Sequence, residues 1–102
     1  MTRRDPEAAF RTLQRRVRDN AFRYTDEAFA RMVDRFLYEE DVKRAFSTAR
    51  LDGLLEDEKG RILYALSGFG MNEETLLVLC RMSKNKVVVL DVDRAPTLPG
   101  DA

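Results

Sequence analysis

The chain has no histidine, no tryptophan and one cysteine in 102 residues. Without an imidazole, triads that use histidine as base are excluded. Histidine-built zinc sites are excluded too, and one cysteine makes no thiolate cage. Any acid–base work must fall to Tyr, Lys, Arg or carboxylates. Cys80 has no internal disulfide partner, which fits a reducing compartment. Long apolar runs are missing as well. None approaches the ~20 residues of a membrane span, and the start of the chain, MTRRDPE, lacks the apolar core of a secretory signal. The expectation is a soluble cytoplasmic chain with no membrane partner and no cofactor. An excess of one charge is also absent. Eighteen cations face eighteen acids, so no global field draws nucleic acid, and any such attraction must be local.

What is present is ordered. The length predicts one domain over 1–94 with a flexible tail over 95–102. An apolar fraction of 44% is normal for a globular core. Charge is uneven. Residues 1–24 hold seven arginines against three acids, a local excess of four. The balancing acids gather in Glu39-Glu40-Asp41 and Glu56-Asp57-Glu58.

The first helix is signalled by Asp5 as N-cap, Pro6 at the first helical position and Glu7 behind it. Phe10, Leu13 and Val17 make one apolar stripe, and Asp19-Asn20 is the stop. Ala21 to Tyr24 reads as a short extended link. Thr25 caps a second helix whose buried face is Ala28, Phe29, Met32, Val33 and Phe36. Leu37-Tyr38 marks a corner. A third helix opens at Glu39 and turns Val42, Ala45 and Phe46 inward. After it come a short strand or irregular arm over Leu51–Leu55 and a strand over Arg61–Ser67. A loop at Gly68–Asn72 follows, then an apolar strand over Thr75–Met82, a hairpin at Ser83-Lys84-Asn85 and a last strand over Lys86–Val92. Helices first and sheet second predict an α+β fold, with about three helices on one face of a three- to four-stranded antiparallel sheet. The helix contact is expected through Met32, Phe36, Val42 and Phe46 on Leu77 and Leu79, with no parallel pairing.

Several groups could carry chemistry. Arg11, Arg15 and Arg18 form a narrow stripe that suits phosphate oxygens, or an ordinary solvated face. Arg81, Lys84 and Lys86 place three cations at one hairpin, and Tyr64 is expected across the sheet from them. Cations and a phenol can cut RNA without histidine: the cations stabilise the phosphorane while the phenol moves the 2′-hydroxyl proton. The alternative is a lysine-guarded hairpin beside a core tyrosine. Cys80 reads as a small buried hydrophobe. Asp91 and Asp93 suit either a hard cation or a wet strand face, and no third carboxylate lies nearby in sequence. Gly68-Phe69-Gly70 has neither the glycine count nor the following helix of a phosphate loop.

Residues Thr25 to Phe46 resemble an uncharacterised bacterial domain family related to the RelE and MqsR toxins. The family pattern runs S/T-x-H-A-x-x-R-M-x-x-R-G-I-x-x-x-D-V. It is matched by Thr25, Ala28, Arg31-Met32, Arg35, Leu37 and Asp41-Val42. Leu13 to Thr25, a basic helix and short link, is similar to the MqsR arrangement. Glu27 stands where the pattern has histidine, and Phe36 where it has glycine. Leu76 or Leu77 falls where MqsR-like toxins carry a strand tyrosine. The resemblance implies a three-helix layer on a twisted antiparallel sheet, mRNA endonuclease relatives and a neutralising antitoxin. It makes RNA one expected partner and an antitoxin, or another protein on the open sheet face, the second. A non-catalytic protein-interaction module with this fold is the alternative.

Overall fold

In the computed structural model, which describes residues 5–96, helix α1 (Pro6–Arg18) starts where its sequence signals place it. The Asp5 carboxylate accepts the Glu7 N–H at 3.1 Å. Ala9, Phe10, Leu13 and Val17 are buried. The helix ends with Asn20 at φ 63°, which lets the Ala21 N–H reach back to the Arg16 carbonyl at 2.7 Å. Asparagine tolerates this left-handed conformation better than most residues.

Helix α2 (Asp26–Asp34) is capped by Thr25, whose hydroxyl accepts the Ala28 N–H at 3.1 Å. Only Ala28 and Met32 are buried. Phe29, Val33 and Phe36 were expected to join them, but are 58%, 57% and 73% exposed. Periodicity finds an apolar face but not how wide a strip the sheet receives. A nine-residue helix that meets the sheet chiefly through one strand buries a single row, and Phe36 lies beyond the last turn. Helix α3 (Glu39–Thr48) buries Val42, Ala45 and Phe46, as its pattern predicts. Its buried Asp41 carboxylate accepts the Tyr38 N–H at 3.0 Å and the Met71 N–H at 2.8 Å.

Among the described residues the sheet has five strands: β1 (Phe22–Tyr24), β2 (Arg50–Glu56), β3 (Ile62–Phe69), β4 (Thr75–Ser83) and β5 (Lys86–Arg94), in the order β1-β5-β4-β3-β2. The meander from β2 to β5 is antiparallel, as expected. Strand β1 corrects the expectation of three or four strands and no parallel pairing, because it lies parallel to β5. Three residues are too few to show a period of two. The free edge of β5 draws them in: the Val87 N–H bonds the Ala21 carbonyl at 3.0 Å, and the Thr25 N–H bonds the Val89 carbonyl at 3.1 Å. Backbone groups at a covered edge need such partners.

The helix-facing register of β4 is also corrected. Leu76, Val78 and Cys80 are buried under the helices, while Leu77, 41% exposed, and Leu79 alternate onto the other face. Both sets are apolar, so alternation alone could not choose between them. Strand β3 runs on through Gly68 and Phe69, which were expected in a loop. A Cβ at Gly68 would collide with the Ala45 carbonyl, so this glycine lets α3 approach the sheet closely. Of the expected tail, Ala95 donates to the Thr75 carbonyl at 2.9 Å, and residues 97–102 lie outside the described residues. Among the described residues no helix is long and apolar enough to cross a membrane.

Candidate binding face of the sheet

All three helices contact the sheet, and the buried strand residues that pack with them belong to one core. The opposite face is open. Strand alternation then decides which side chains it carries. In β1, Phe22 and Tyr24 pack against the core and Arg23 points the other way. Arg23 pairs with Val88, and Val88 pairs with Arg81, so two arginines flank one valine across three strands. Val88 is fully buried although it stands apart from the helix-side core.

Arg61, the residue before β3, is close enough for its charge to bear on Arg81. Burial, followed by the charges of Arg61 and Arg23, holds the Arg81 guanidinium below its ordinary pKa, with Asp57 opposing. The guanidinium still stays charged. Burial is the larger cause of the shift, and the positive charges of Arg61 and Arg23 add to it. Asp57 is already engaged: its carboxylate accepts the Arg61 N–H at 2.8 Å, the Lys59 N–H at 2.9 Å and the Arg61 Nε–H at 2.7 Å. The backbone bond from Arg61, ahead of its side-chain bond and the backbone bond from Lys59, holds the carboxyl below the usual range. Lys86 pairs with Ser83 beside Arg81, and Lys84 projects from the two-residue turn at φ 36°. Within the described residues Arg23, Arg81, Lys84 and Lys86 make no ion pair.

The other end of the face is neutralised internally. Arg35 reaches Asp91 at 3.1 Å and Asp93 at 3.5 Å, and Arg31 reaches Asp91 at 3.5 Å. Arg35 also donates to the Val92 carbonyl at 2.6 Å, closing the edge of β5 beyond β1. The two aspartates therefore anchor α2 to the sheet. Among the described residues no group of three metal-ligating side chains exists. Between the two ends lie exposed Leu55 and Leu77 and half-buried Leu63 and Leu79.

The expected catalytic trio is not brought together. Tyr64 pairs with Cys80, a helix-side residue, so it faces away from Arg81. It is 6% exposed and lines a cleft of 630 Å³ with Pro6, Ala9, Arg61, Ile62 and Met82, so Arg61 borders the helix-side cleft as well. The one-residue step from Cys80 to Arg81 moves the side chain to the other face of the sheet. Lys86, opposite Ser83, shares the open face with Arg81, while Lys84 lies in the turn beyond. Arg11, Arg15 and Arg18 are exposed on α1, within the helix layer and away from the open face. Arg18 lies 3.6 Å from Asp19. Cys80 is fully buried, and desolvation pushes its thiol up to about 12. Sequence reasoning missed Arg23 and Arg61. The signal for Arg23 was its place between Phe22 and Tyr24, one charge between two inward aromatics. No protein-family model, curated protein or solved structure matches the chain.

Proposed function

We propose that the domain is a toxin-like RNA-binding module that holds single-stranded RNA across the open sheet face. The observation that supports it is the Arg23–Val88–Arg81 row, with Lys86 on the same face. Arginine forks suit phosphate oxygens, and arginine planes and apolar strand residues accept bases. The reading rests on this face rather than on kinship. The parallel β1 departs from the antiparallel sheet that the toxin resemblance implies, and Phe36 stands where its pattern has glycine.

Cleavage asks for more. Arg81 would stabilise the phosphorane, and Lys84 and Lys86 would bind phosphate. Tyr64, assigned the proton transfer, stands across the sheet from them. The arrangement therefore favours binding over an endoribonuclease reaction.

A labelled 12-nucleotide RNA titrated by anisotropy at two salt concentrations tests this. Contact with three or four phosphates gives a log–log salt slope of about −2 to −3. Replacing Arg23 and Arg81 together with alanine should weaken binding at least tenfold. Affinity indifferent to salt would end the RNA reading. A long mRNA incubated with the protein, with and without ribosomes, separates binding from cleavage. Discrete products that vanish in Arg81→Ala would restore the enzyme reading.

A further inference from the structure

We propose that the corner between α2 and α3 is a docking groove for a cationic amphipathic segment of a partner protein. The groove encloses 340 Å³ between Tyr24, Phe29, Val33, Phe36, Tyr38 and Glu39. Phe29, Val33 and Phe36 stand at i, i+4 and i+7 on the outer side of α2, and Tyr38, 61% exposed, continues the patch. A contiguous apolar patch of this kind marks an interaction surface more often than isolated exposed residues do.

Phe36 is the decisive residue. The Leu37 N–H bonds the Met32 carbonyl at 2.9 Å, and the Phe36 N–H bonds the Val33 carbonyl at 3.2 Å. That double closure ends a helix through a left-handed residue, usually glycine. Here a phenylalanine takes that conformation, at φ 55°, with its ring in solvent. Helix α1 ends by the same closure on Asn20, a residue suited to it. Phenylalanine at this position helps neither the backbone nor solubility. An aromatic that enters a partner explains both departures. Tyr24 lines the groove as well, and its buried hydroxyl has no hydrogen-bond partner among the described residues.

Charge selects the occupant. Glu39 lines the groove, and both Glu39 and Glu40 act on the Tyr24 phenol, which burial and these two carboxylates push well above its ordinary pKa. The cations of α2 do not cancel them, since Arg31 and Arg35 are turned to Asp91 and Asp93. An acidic rim repels phosphate and attracts lysine and arginine. Three anchors over two turns fit a helix or extended segment that alternates apolar and basic residues. Within the described residues a second copy offers no such free helix, because the stripe of basic α1 is already buried. This surface is separate from the RNA-binding face, and either reading can fail alone.

The test uses the full chain and a labelled 14-residue peptide of leucine and lysine patterned as an amphipathic helix. A leucine–glutamate peptide of the same pattern is the control. Amide shift mapping should cluster the lysine peptide's effects on residues 24–40. The glutamate peptide should bind at least tenfold more weakly. Phe36→Gly should melt at a higher temperature than the native chain and lose at least tenfold in affinity. Val33→Ser gives a second variant that leaves the helix end untouched, and should lose affinity similarly. Equal binding of the two peptides, shifts confined to the open sheet face, or full affinity in both variants would overturn the proposal. So would a concentration-dependent dimer that Phe36→Gly dissolves, since a second copy would then be the occupant.

Discussion

Phe36 and Gly68 show the backbone and the side chain asking for opposite things at single positions. At Gly68 the helix layer leaves no room for a Cβ, because the Ala45 carbonyl occupies that space. Gly68→Ala should therefore cost about 2–3 kcal/mol, as overpacking against fixed backbone does. Urea unfolding with an unchanged slope checks this. A cost below the error of the midpoint would mean α3 can withdraw freely. At Phe36 the backbone conformation asks for glycine and the sequence declines it. Phe36→Gly should raise stability by about 0.5–1 kcal/mol, the left-handed strain relieved less the added freedom of the unfolded chain. A loss of stability would show that the ring is supported by contacts within the chain. Both residues were visible in the sequence, and both were read by neighbourhood alone. Phe36 continues the apolar spacing of α2, and Gly68 sits among loop-forming residues. What decides each is contact or closure with another element, which spacing does not contain.

Elements were legible in proportion to how many local signals agreed. Helix α1 carries a cap, a proline, a stripe and a stop, and each is observed. Helix α3 carries an acidic first turn and a clean stripe. Its Asp41 does more than complement the dipole: it is buried and bonds two backbone N–H groups, one of them 30 residues away. That second bond ties the α3 start to the β3–β4 turn. Asp41→Ala should cost about 2–3 kcal/mol, since two donors lose a charged acceptor. It should also speed amide exchange at Met71. Unchanged exchange there would show that the turn holds itself. Strand β1 carried one signal, an arginine between two aromatics, and so read as a link. Strand β4 carried too much of one, being apolar on both faces. The candidate site inherits that ambiguity. Arg81 was found from its hairpin, while its neighbour Arg23 depends on a pairing that spans more than sixty residues of chain.

For the whole molecule, a net charge of zero conceals separate fields. Cations collect at the hairpin end of the open sheet, acids at the α2–α3 corner, and a third group lies along α1. None of this is visible in the total, and the tertiary fold alone sorts it. The same burial that sorts charge sets a limit at high pH. Cys80 lies beneath the helices, and desolvation moves its thiol from 9.0 to about 12. Below pH 9 the thiol is neutral in both states, and its burial stabilises fully. Between pH 9 and 12 the unfolded chain releases a proton that the native chain keeps, so stability falls by up to about 1.4 kcal/mol per pH unit. Cys80→Ala removes that loss at the expense of a small cavity. It should be about 1 kcal/mol less stable than the native chain at pH 7. The gap should close and then invert as the pH passes 10. Urea midpoints at pH 7, 9 and 10.5 for the two chains give the difference curve. A gap that stays constant across that range would mean the thiol meets water in the folded state, and the core beneath α1 and α3 would then be open where the packing of Leu66, Val78 and Val89 closes it.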